Sequence, residues 1–133
     1  MHHKVVDHVT ESLPLVKPDM ALAELSRLMV ASSSASAVVV DADNRYLGMV
    51  SRHQLHDHED SARVSSLEPR LGTEFDQHTS IWEAMETMRD YIGEAIAVID
   101  SNTGLYLGAV SEAVIINAYL DAAQELRREQ YEV

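Results

Sequence analysis

Two tetrads in this 133-residue chain set a hydroxyl where a helix would begin: Ser51-Arg52-His53-Gln54 and Ser111-Glu112-Ala113-Val114. Each follows an apolar run through a glycine, Gly48-Met49-Val50 and Gly108-Ala109-Val110. A serine hydroxyl and the free N–H groups of the next helix converge on one point, and the helix dipole favours an anion there. A phosphate or a ribose is the group such a point would take. The two tetrads are unequal. The first offers Ser51, Arg52 and His53, with Gln54 as a neutral hydrogen-bonding partner. The second sets Glu112 beside Ser111, against a phosphate, and Val114 has no side-chain hydrogen bond to give. The plainer use of both serines is as N-caps, the commonest role of serine at that position. That use is the default expectation.

Other groups that could do chemistry are weaker. His53, His56 and His58, with Asp57, Glu59 and Asp60, hold enough donors for zinc or nickel on paper. Only residues three or four apart share a helical face, so the spacing does not gather three of them. A solvated connection, without a metal, is the expectation there. No Gly-x-Ser-x-Gly, His-Glu-x-x-His, phosphate-binding loop or Gly-x-Gly-x-x-Gly is present, and catalysis is not expected. Twenty-two acidic against 10 basic residues give a formal charge of −12. Such a field repels nucleic acid and anionic lipid, so no nucleic-acid partner is expected. With no cysteine, disulfides and thiolate chemistry are excluded. No apolar run approaches the roughly 20 residues that cross a bilayer.

The elements that must position these residues occur twice. Tyr46-Leu47-Gly48-Met49-Val50-Ser51 returns sixty positions later as Tyr106-Leu107-Gly108-Ala109-Val110-Ser111. Upstream lie Ala37-Val38-Val39-Val40-Asp41 and Ala95-Ile96-Ala97-Val98-Ile99-Asp100, each joined to its Tyr-Leu-Gly by a short polar turn. Apolar run, turn and apolar run read as a β-hairpin, here written twice. Before each hairpin comes an extended piece (Leu13 to Val16, Thr73 to Phe75) and a helical period. Leu22, Leu25, Leu28 and Met29 mark the first helix, with Asp19 or a near neighbour as cap. Ile81, Ala84, Met85 and Met88 mark the second, opened by a Ser80-x-x-Glu83 capping box and ended near Gly93. Val5-Val6-Asp7-His8-Val9 and Val64-Ser65-Ser66-Leu67 are matching lead-in segments. A short helix from Arg52 to about His58 and a long one from Glu112 to about Gln130 close the units, the latter with a broad apolar face. Trp82, Tyr46 and Tyr106 are expected as core or cleft aromatics. The fold class is therefore α/β, with units at 1–62 and 63–133, the second carrying the extended C-terminal helix.

A β-α-β-β-α unit ending in Gly-x-Val-Ser, twice in order, resembles the CBS domain in its tandem pairing, the Bateman module. The residues that carry the resemblance are Pro18-Asp19-Met20-Ala21-Leu22, Val38-Val39-Val40-Asp41, Tyr46 to Ser51 and their counterparts. It implies two units packed about a pseudo-twofold axis, a non-catalytic regulatory role, and clefts that hold adenine nucleotides, AMP or ATP. The first implied cleft takes Val16, Ala37, Ser51, Arg52, His53 and Gln54; the second takes Ala95 and Ser111. The family's pattern has an aspartate three residues after each serine, and Gln54 and Val114 depart from it. The resemblance also implies a homodimer. Leu107 to Glu112, Ala118-Tyr119 and Glu125-Leu126-Arg127-Arg128-Glu129 are similar to the tail of bacterial CLC-type chloride channels and transporters. That similarity implies a cytoplasmic module, on the cytosolic face of the inner membrane, attached to a channel domain. The rival expectations are a free-standing adenine-nucleotide sensor and the regulatory module of another transporter or enzyme.

Overall fold

A computed structural model describes residues 3–9, 13–56, 58–89 and 95–131, with the backbone alone at 129–131. Each repeat builds one three-stranded sheet. The first holds β1 (Leu15–Val16), β2 (Ser36–Val40) and β3 (Tyr46–Ser51), with α1 (Leu22–Ala31) between β1 and β2. The second holds β4 (Glu74–Asp76), β5 (Ala95–Ile99) and β6 (Tyr106–Ser111), with α2 (Ile81–Met88) between β4 and β5. In both, the first strand runs parallel to the second and the second antiparallel to the third. The central strands are runs of β-branched and small apolar residues, as strands buried on both faces require. Even the irregularities repeat, with register shifts between Val39 and Val40 and between Val98 and Ile99. The fold is the α/β pair of units that the repeat predicts.

The hairpin turns are held by aspartates at equivalent positions. Asp41 Oδ1 accepts the N–H groups of Asp43 and Arg45, each at 2.9 Å. Asp100 Oδ1 accepts those of Asn102 at 2.8 Å and Thr103 at 3.1 Å. These bonds hold both carboxyls below the usual carboxylate range, the Arg45 N–H foremost at Asp41 and the Asn102 N–H at Asp100. The turns also join the halves. Tyr46 N–H donates to Gly104 O at 2.9 Å, and Tyr106 N–H to Asn44 O at 3.0 Å. The two tyrosine rings stack across this seam with centroids 6.3 Å apart. Beneath them Val38, Val40, Met49 and Ala97 form a third apolar cluster between the sheets.

The halves also exchange their lead-in segments. Val5, in a 310 turn at Val5–His8, is fully buried in the second half's core with Phe75, Ile81, Ile96, Val110 and Ile115. Val64 and Leu67, from the 310 turn Val64–Leu67, fill the first half's core beside Val16, Leu22, Leu25 and Met29. Backbone bonds fix the crossing. Val5 N–H donates to Thr79 O, and Ile81 N–H to His3 O. On the other side Val64 N–H donates to Met20 O, and Leu22 N–H to Ala62 O. The repeated glycines make room for it. Gly48 (φ +140°) lies where a Cβ would fall 2.6 Å from Pro69 Cβ, and Gly108 (φ +145°) where it would fall 1.9 Å from Val9 Cγ1. At these backbone angles and clearances only glycine fits without movement.

Several sequence expectations change in the fold. The N-cap of α1 is Ala21, without a side-chain bond, and Asp19 does not cap it. The first N–H groups of α1 instead donate to Ala62 O (2.9 Å) and Asp60 O (3.2 Å), so the connecting segment itself is the cap. At α2 the serine half of the predicted box forms, Glu83 N–H donating to Ser80 Oγ at 3.1 Å. Gly93 and Asp57 lie outside the described residues. The helix expected from Arg52 to His58 is a 310 turn at Arg52–Leu55, followed by exposed residues. On α3 (Glu112–Tyr131) the predicted apolar face divides. Ile115, Ala118 and Ala122 are buried, whereas Leu120 and Leu126 face outward, as does Ile116, which is not part of that face. Trp82, expected as a core or cleft aromatic, is not core but lines a cleft with Met85 and Ile116, edge-on to Tyr119 with centroids 5.1 Å apart. No described helix is long and apolar enough to cross a membrane.

Candidate functional site

The structure draws the residues around Ser51 into the fold. Val16 and Ala37 are buried in the first core, with only backbone left to offer a ligand. Gln54 is bound at both ends of its amide: Oε1 accepts Ser51 N–H at 2.7 Å, and Nε2 donates to Leu67 O at 2.9 Å. A side chain held this way fastens the 310 turn to the connecting segment and is not free to grip a ribose. Arg52 donates through its guanidinium to Ser34 O at 2.7 Å, and His53 is exposed. The Ser51 hydroxyl, nearly buried, accepts from the Arg70 guanidinium at 2.8 Å. Ser111 caps α3, its hydroxyl accepting Val114 N–H at 3.3 Å. Among the described residues no three histidine or acidic groups come together to hold a metal, and His53, His56 and His58 are all exposed.

A concave site lies between the sheets. A cavity of about 210 Å3 is lined by Tyr46 and Met49 of β3, by Arg70, Leu71 and Thr73 of the connecting segment, and by Glu74 and Ala95 of the second sheet. Arg70 is positioned from both ends. Its backbone pairs with Met49 on the open edge of β3, at 3.0 and 2.9 Å, and its guanidinium reaches Ser51. The lining thus carries a guanidinium, a carboxylate, the hydroxyl-bearing Tyr46 and Thr73, and apolar side chains. Of the residues expected from sequence, Ala95 lines it directly, and Ser51 touches it through Arg70. Arg70 and Glu74, which also line it, are not among the residues expected from sequence. The signal for Arg70 was slight: a single arginine behind Pro69, in a segment with no periodicity.

With this geometry in view, comparison with known proteins places the chain. The protein-family model that matches is the CBS domain, over residues 5–59. Similar solved structures cover both halves. A CBS domain pair/ACT domain protein of Thermotoga maritima is 21% identical with a TM-score of 0.79, over 90% of this chain and 98% of that one. CBSX2, solved in complex with AMP, is 19% identical with a TM-score of 0.76, over 91% and 98%. The cytosolic domain of the Mg2+ channel MgtE, solved in complex with ATP, is 23% identical with a TM-score of 0.71, over 82% and 46%. Likeness at these identities defines the fold. In fold the chain is a tandem CBS pair, and its first unit matches the CBS domain in sequence.

Proposed function

We propose that the chain is a non-catalytic regulatory module that senses an adenine nucleotide in the cavity between its sheets. The carrying observation is that cavity, walled by residues of both halves and equipped with one guanidinium, Arg70. The solved CBS folds with AMP and with ATP support the ligand class. Size and charge favour the smaller nucleotide. About 210 Å3 lies below the roughly 300–1,000 Å3 usual for ligand pockets. Each further phosphate would also work against a chain of formal charge −12. A phosphate arriving at Arg70 would take the guanidinium from Ser51, and so couple occupancy to the turn at Arg52–Leu55.

Calorimetric titration tests this. AMP should bind, ATP more weakly, and Arg70→Ala should weaken AMP about tenfold or more, the loss expected for a hydrogen bond to a charged group. No heat from either nucleotide would remove the proposal.

The exposed Ile116, Leu120 and Leu126 on α3 support a homodimer. Sedimentation equilibrium at micromolar protein should then give twice 14.8 kDa, and the monomer mass would count against it. For the host we propose a membrane transporter, with the module on its cytosolic side. The resemblance at Leu107 to Glu112 and Glu125 to Glu129 supports a chloride-transport host, and the MgtE domain shows the same fold in a cation channel. Sequencing the source gene through its upstream region decides. A reading frame with no membrane spans leaves the free-standing sensor.

A further inference from the structure

Each half leaves an open cleft between its first helix and the segment that follows its last strand. In the second half the cleft is about 440 Å3, between α2 and α3, with Trp82, Met85, Glu86 and Ile116 in its lining. In the first half it is about 250 Å3, between α1 and the turn at Arg52–Leu55, with Ser26, Arg52 and His56 in its lining. The two clefts are equivalent in the repeat. Leu22, Leu25 and Met29 are buried on α1 as Ile81, Ala84 and Met88 are on α2, and Ser51 and Ser111 end β3 and β6 alike. That registry makes the differences readable. Arg27 stands where Glu86 does and Arg52 where Glu112 does, all four exposed. Ala23 stands where Trp82 does, and Ser26 where Met85 does. One surface is therefore small and cationic where the other is large and anionic. Asp60 opposes the first and Arg89, 3.5 Å from Glu86, opposes the second, while Glu24 and Glu83 are common to both. The first surface remains the more positive. It also has only a four-residue turn where the second half has the 20-residue α3, on which Leu120 and Leu126 face outward.

We propose that the chain pairs head to tail with a second copy, the first half of each against the second half of the other. The surface of Arg27 and Arg52 then faces that of Glu86 and Glu112, with Trp82 set against the small side chains of Ala23 and Ser26. This rests on the homodimer reading and adds its orientation. A twofold axis makes the contact twice and closes the pair. Head-to-head pairing would instead set Glu86 and Glu112 against their own copies, and Arg27 and Arg52 against theirs. Like charges across an interface select against that arrangement. Head-to-tail pairing also lays the outward leucines of α3 along the half that has no such helix.

Sedimentation equilibrium at low salt tests this on the wild type, Arg27→Glu, Glu86→Arg and the double variant, with circular dichroism to confirm that each folds. Each single reversal turns attraction into repulsion at both contacts and should weaken the dimer about tenfold or more. The double variant exchanges the signs and should return to within about threefold of the wild type. In a head-to-head dimer neither single reversal would weaken pairing, because like charges would face like before and after. If the wild type dimerises but neither single variant is weakened, or the double variant does not recover, the orientation is overturned and the dimer stands. If the wild type is a monomer, both fall. A second readout uses the single tryptophan and the absence of cysteine. Copies carrying Trp82→Phe and a dansyl acceptor on either Val30→Cys or its second-half equivalent, Arg89→Cys, are mixed with the wild type. Energy transfer from Trp82 should be stronger to the acceptor at position 30. Equal transfer, or stronger transfer to position 89, would overturn the orientation.

Discussion

Gly108→Ala is expected to lower the stability of the chain by about 2–6 kcal/mol, combining roughly 1–3 for overpacking with roughly 1–3 for a non-glycine residue at positive φ. The new methyl would meet Val9 Cγ1 at 1.9 Å, far inside contact distance. Urea unfolding should show it as a shifted midpoint at unchanged slope. The obstacle at Gly108 is one side chain. Val9→Ala added to Gly108→Ala should therefore return most of the steric part and leave the backbone strain. At Gly48 the added carbon would meet Pro69 Cβ at 2.6 Å and Arg70 O at 2.9 Å. Because the Arg70 oxygen is main chain, no single truncation should rescue Gly48→Ala. Equal rescue at the two sites, or no loss at either, would refute the account of the crossing segments.

Val5→Ala should cost about 1–3 kcal/mol, in the range set by removing methyl groups from a filled core. The informative result is where the chain loosens. Val5 is 0% exposed and sits among α2, β5, β6 and α3, so hydrogen exchange should rise first in those elements, more than seventy residues away in sequence. Val64→Ala should do the reverse and loosen α1, β2 and β3. Loosening of the nearer sheet by Val5→Ala would contradict the exchange.

How much of this was readable beforehand follows from what a side chain's own type reports. The hairpins were plain, because Val38-Val39-Val40 and Tyr46-Leu47-Gly48 carry strand propensity and turn chemistry locally, and the second copy repeated both. The matching of Val5 to Val64 was also visible. What no residue announced was which core each would enter. Val5 and Val64 are equivalent, so either half accepts either, and only the path of the chain decides. The cap of α1 was hidden for a related reason: its acceptors are the carbonyls of Asp60 and Ala62, which have no side-chain signature. The pattern put Ser51 and Ala95 in two separate clefts, whereas in the fold Ala95 lines the cavity between the sheets and Ser51 meets the same cavity's Arg70. Gln54 looked free to bind, because sequence does not show that Ser51 N–H and Leu67 O already hold its amide. Glu74 was one carboxylate among 22 acidic residues, set apart only by its position on β4 beneath the seam.

The crossing of the lead-in segments bears on how such a chain could have arisen. A solitary ancestral unit with the same geometry would have sent its first turn outward, toward a core other than its own. Two identical copies could then have satisfied one another only by clasping reciprocally. Joining the two copies end to end would have kept that embrace and made it independent of concentration. The same logic makes the present halves poor candidates for separation: cut apart, each carries the stopper of its sibling and leaves its own vessel open.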